Sequence, residues 1–61
     1  MIKTRQLFDK DTCTFTYLLF DDILKFSVII DPVLEQIDRD LLLIKRLDLN
    51  LIGILETHIH A

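Results

Sequence analysis

Apolar and polar positions alternate through the first half of the chain and change period near its middle. Residues 5–8 (RQLF) form a short strand candidate, and the polar DKD at 9–11 reads as a turn. Residues 13–20 (CTFTYLLF) are rich in threonine and aromatic side chains, a composition that suits a pleated, half-buried surface. Period two puts Cys13, Phe15, Tyr17 and Leu19 on one face and Thr14, Thr16, Leu18 and Phe20 on the other. The second face becomes apolar only towards its end. Asp21 and Asp22 begin a hairpin turn, and the β-branched run of Phe26–Ile30 predicts a strand buried on both sides.

Asp31-Pro32 breaks that strand, because proline removes a ladder donor and fixes φ. From Ile37 the spacing is helical: Ile37, Leu41, Ile44 and then Leu47 or Asp48 step by three or four, with Leu42 and Leu43 widening the stripe. Asp38 and Asp40 lie in the first turn and Lys45 and Arg46 in the last, which complements the helix dipole. Asp48 and Asn50 end the helix, and residues 51–55 (LIGIL) begin a new strand. Strand, helix, strand of this length is a βαβ unit with a right-handed crossover and parallel strands. The predicted architecture is a three-stranded antiparallel meander, one helix and a parallel fourth strand. Ile37, Leu41 and Ile44 should cover one sheet face and leave the other open.

Composition narrows the setting. Sixty-one residues make at most one small domain. A single cysteine forbids an internal disulfide and fits a soluble chain in a reducing compartment. Cys13 itself is expected as a buried strand thiol, since free cysteine is among the most buried residue types. Phe8, Phe15 and Tyr17 are expected in the core. Apolar residues make up 51% of the chain, the composition of an interior rather than of a disordered segment. The net charge of −3 and the scattered lysines and arginines argue against nucleic acid as a partner. No apolar run approaches the roughly 20 residues needed to cross a bilayer, so no membrane partner is expected.

The candidate chemistry lies at the end of the sequence. His58 and His60, the only histidines, follow the last strand in LETHIHA. In open α/β sheets, ligands bind beyond the carboxyl ends of the strands. In an extended segment, residues i and i+2 point the same way, so two imidazoles can reach one metal ion. Taken alone, a His-x-His pair is weak evidence and reads first as a solvated terminus. Glu56 can orient a ligand histidine from behind or simply face water. Asp31, before proline, is expected to cap or turn the chain.

RQLF, CTFTYLLFDD, VIIDPVLEQIDRDLLLIKRL and ETHIHA, in this order and spacing, resemble the N-terminal part of the persulfide dioxygenases, a branch of the metallo-β-lactamase superfamily. CTFTYLL and IDPVLE are particular to that branch, whereas His-x-His is shared across the superfamily. The resemblance implies the N-terminal portion of a metallo-β-lactamase αββα fold. Residues 1–61 would be a partial domain that stops inside the T-H-x-H-A-D-H metal motif. His58 would be the iron(II) ligand, with His60 near the site. No catalytic or cofactor-binding side chain other than these can be assigned. The implied partners are glutathione persulfide, dioxygen and the remainder of the domain, or self-association in its absence. The implied compartment is the bacterial cytoplasm or the mitochondrial matrix. Two other readings stay open: a zinc thioester hydrolase of the glyoxalase II kind, and a non-enzymatic interaction module. The sequence departs from the resemblance where Asp48 replaces the usual glycine after the helix, and where apolar Ile23 and Leu24 occupy a hairpin tip, as a contact surface would.

Overall fold

The structure, a computed structural model, describes residues 1–57. Strands β1 (Ile2–Asp9), β2 (Thr14–Asp21) and β3 (Phe26–Ile30) are followed by a 3₁₀ turn at Leu34–Gln36, helix α1 (Ile37–Arg46) and strand β4 (Asn50–Leu55). The sheet order is β1-β2-β3-β4. β1 to β3 pair antiparallel, and β4 pairs parallel to β3. This is the expected meander, helix and parallel strand. β1 starts three residues before the predicted strand, in a stretch whose mixed polarity carries no alternation.

Register decides which side chains face the helix. Leu18 lies opposite Ile29, and Phe20 opposite Ser27. Leu18, Phe20 and Ile29 form a buried cluster with Ile44 of α1, and Leu43, Leu47, Leu49 and Leu51 pack against it. Two hydroxyls on this side are also buried and hydrogen-bonded. Ser27 Oγ donates to the Asn50 carbonyl at 3.0 Å, and Thr16 Oγ1 donates to the Asp31 carbonyl at 2.8 Å. A buried hydroxyl without a partner would be costly.

The helix is rotated from its expected phase. Ile44 is buried, but Ile37 and Leu41 are 38% and 49% exposed. The inward stripe is Asp40, Leu43, Ile44 and Leu47. Asp40 can enter it because its Oδ1 accepts from Arg39 Nε at 3.1 Å, while Arg39 Nη1 donates to the Phe8 carbonyl at 2.8 Å. A paired charge therefore occupies a position that apolar spacing alone assigns to the surface. At the other end, the Asp48 N–H donates to the Lys45 carbonyl and the Leu49 N–H to the Ile44 carbonyl, both at 3.0 Å. This is a Schellman cap, with Asp48 at φ 56° and Leu49 packed on the same core as Ile44.

The second sheet face lies open. Phe8 and Phe15 are 47% and 46% exposed. They pair across β1 and β2 with ring centroids 4.9 Å apart, and Tyr17 continues the row at 6.4 Å from Phe15. The aromatic residues expected in the core thus lie on the uncovered side, because one helix can cover only one face. Ile2, Leu19, Leu24, Phe26, Val28 and Ile52 line an apolar groove at the other end of that face.

Cys13 is not a buried strand residue. It is exposed and ends the turn between β1 and β2 at φ 54°. The strand begins one residue later, where the backbone returns to extended geometry. In the next hairpin the Asp21 carboxylate accepts from the Ile23 and Leu24 N–H groups at 2.8 and 2.9 Å. Those bonds shape the turn and leave both apolar side chains exposed.

The helix phase predicts a sharp asymmetry. Ile44→Ala should cost about 2–5 kcal/mol, enough to unfold a chain of this size. Leu41→Ala should change stability by about 0.5 kcal/mol or less. Urea unfolding followed by circular dichroism measures both, and a larger loss at Leu41 than at Ile44 would contradict the observed phase.

Candidate functional site

β3 and β4 run parallel and end level with each other, with Ile30 opposite Leu55. Asp31 follows immediately. Its N–H donates to the Leu55 carbonyl at 2.8 Å, extending the ladder by one bond. Its backbone then turns to φ 55°. That left-handed conformation costs an L-residue roughly 1–2 kcal/mol, and aspartate is one of the few side chains that adopt it readily.

The turn aims the Asp31 carboxylate at the segment leaving β4. Oδ1 accepts from the Thr57 N–H at 2.7 Å, and Oδ2 accepts from the Thr57 hydroxyl. The Asp31 carbonyl accepts from Thr16 Oγ1 of β2 at 2.8 Å. One residue therefore ties β2, β3 and the end of β4 together. Charge-assisted bonds to both donors of Thr57 fix the direction of the chain one residue before His58.

A cleft opens beside this clamp. Thr12 and Thr14 of the first hairpin, Pro32 and Leu34 after β3, and Glu56 after β4 form its walls with Asp31. Cys13 stands in the same hairpin, its Sγ 3.7 Å from the Lys10 carbonyl. His58 and His60, the predicted metal ligands, lie outside the described residues. Glu56 is exposed at the cleft rim. No group of three or more metal-ligating side chains occurs among the described residues. Asp31 fulfils its expected turn role. Its grip on Thr57 was not foreseen, although the parallel ends of β3 and β4 bring the two residues to one level.

No protein-family model matches the chain. Comparison with known proteins places it clearly all the same. It is 52% identical over 60 residues to the human mitochondrial persulfide dioxygenase ETHE1, covering 98% of this chain and 24% of that protein. The bovine mitochondrial persulfide dioxygenase ETHE1 is 49% identical over 57 residues, 93% of this chain and 22% of the relative. The crystal structure of ETHE1 from Myxococcus xanthus superposes with a TM-score of 0.90 at 51% identity, covering 97% of this chain and 26% of that one. The chain is a homologue of the N-terminal quarter of the persulfide dioxygenases.

This homologue spans about a quarter of the length of the curated relatives it matches. The superposition covers nearly all of this chain, so its four strands and helix fall within the matched region. Among the described residues, no helix is long and apolar enough to cross a membrane.

The clamp has a measurable signature. Asp31→Gly removes the carboxylate but tolerates the left-handed backbone, whereas Asp31→Ala loses both. Asp31→Ala should therefore be less stable than Asp31→Gly by about 1 kcal/mol, with both below the parent chain in urea unfolding. Equal stabilities for the two variants would remove backbone strain from the account, and no loss in either would remove the clamp.

Proposed function

We propose that residues 1–61 are the N-terminal part of a metallo-β-lactamase-like domain whose complete form is a mononuclear iron persulfide dioxygenase. That enzyme would oxidise glutathione persulfide with dioxygen to sulfite and glutathione. The observation that carries this reading is the identity of about one residue in two to persulfide dioxygenases over nearly the whole chain, at both sequence and structural level. The similarity favours this over a glyoxalase II-like zinc hydrolase.

In this reading His58 ligates the metal, His60 stands near it, and Glu56 orients a ligand imidazole from behind. Neutral imidazole nitrogens suit both iron and zinc, so the donor chemistry fits. Bound iron(II) would supply open coordination positions for dioxygen and the persulfide sulfur. The chain's own contribution is positional. Asp31 holds Thr57, the last described residue before the motif's histidines, through two hydrogen bonds.

The remaining ligands and the glutathione-binding residues would come from the rest of the domain. That remainder would also cover the open sheet face around Phe8, Phe15 and Phe26. Without it the exposed apolar face favours self-association. The full enzyme would work in a reducing compartment, the bacterial cytoplasm or the mitochondrial matrix.

The 61-residue chain alone, supplied with ferrous iron and glutathione persulfide, should consume oxygen no faster than free iron. A chimera should behave differently. When this chain replaces the matching quarter of the Myxococcus protein, oxygen uptake should depend on glutathione persulfide and be lost with His58→Ala. Uptake by the chain alone, or a folded, iron-loaded chimera without activity, would overturn the proposal.

A further inference from the structure

Asp9 ends β1 and is only 3% exposed. A carboxylate this buried needs its oxygens hydrogen-bonded. Oδ2 accepts from Thr12 twice, from the N–H at 3.0 Å and from the hydroxyl at 2.6 Å. Those bonds are local and shape the first hairpin. Oδ1 accepts from Gln36 Nε2 at 2.8 Å, a contact 27 positions along the chain. The Thr12 and Gln36 bonds hold the Asp9 carboxyl below the usual carboxylate range, so it remains an acceptor at neutral pH.

Gln36 closes the 3₁₀ turn just before α1, and its N–H donates to the Val33 carbonyl at 2.9 Å. The segment 31–36 therefore has two anchors. At one end Asp31 grips Thr57. At the other, Gln36 is held by Asp9. Arg39 adds a second tie between helix and β1, through the Phe8 carbonyl at 2.8 Å. Thr12, Thr14, Asp31, Val33 and Glu56 border one cleft, so hairpin, segment and strand end are contiguous.

We propose that Asp9 is a remote positioning residue for the proposed metal motif. Through Gln36 it fixes the 31–36 segment, and through that segment it fixes the Asp31 carboxylate that directs Thr57. The functional meaning rests on the dioxygenase reading, but the mechanical coupling does not.

Amide hydrogen exchange in the 15N-labelled chain tests the coupling without metal or substrate, so its failure is distinguishable from failure of the dioxygenase reading. Asp9→Asn keeps the shape of the side chain but removes its charge and exchanges one of its two acceptor oxygens for a donor amide, so the Thr12 and Gln36 donors can no longer both be satisfied as they are. Thr57 N–H protection should fall about tenfold, and its amide shift should move, while Ile29 and Ile54 in the ladder change less than about twofold. Gln36→Met, which cuts the same link from the other side, should reproduce the effect, and the double variant should add nothing. It also serves as the test if Asp9→Asn fails to fold. An unchanged Thr57 beside altered Thr12 and Gln36 would confine Asp9 to its hairpin and overturn the proposal. A uniform loss of protection over all amides would overturn it too, as a plain stability effect.

Discussion

The structure depends on how Asp31 leaves the sheet. At that position the chain must leave β3, turn towards a helix and still hold the end of the returning strand at Leu55. A left-handed backbone turns it, and the side chain thereby freed to point back along the sheet edge binds the returning segment. The three functions conflict for most residues. Glycine would turn more easily but has no acceptor, and larger side chains would meet the steric cost of positive φ. Aspartate satisfies all three, and the Thr16 hydroxyl on the Asp31 carbonyl secures the same residue from the neighbouring strand.

Around this point the molecule is built on one side only. Helix α1 shields Leu18, Phe20 and Ile29, and its end is closed by a Schellman cap despite the strain of Asp48. The opposite face carries an aromatic row and an apolar groove in contact with solvent. Small chains have little core from which to draw stability. The buried polar links therefore carry weight out of proportion to their number. Asp9, Thr16, Ser27 and Asp40 are each below 4% exposure, and each joins elements distant in sequence or supports a residue that does.

Much of this was legible from residue spacing. The two hairpins, the change of period at Asp31-Pro32 and the parallel return follow from alternation, turn residues and crossover rules. The errors share a cause. Apolar spacing gives a charge no place on the inward stripe, so it leaves out Asp40 and sets the helix phase on Ile37 and Leu41. β-Propensity extended the second strand back through Cys13, whose backbone belongs to the turn. Alternation also cannot say which face is covered, so Phe8 and Phe15 read as core. The Asp31 to Thr57 bonds span 26 positions and depend on a backbone angle that no residue pattern states. The two histidines, candidate ligands from sequence alone, lie outside the described residues.

The central claim is that Asp31 physically holds Thr57 and so sets the course of the chain as it leaves β4. Scalar coupling across a hydrogen bond measures that link directly. In the 13C,15N-labelled chain, the Thr57 amide nitrogen should show a through-bond coupling to the Asp31 carboxyl carbon, and the Asp31 backbone coupling should report positive φ. A Thr57 amide with no coupling to Asp31 and exchange at the rate of an unprotected amide would contradict the account.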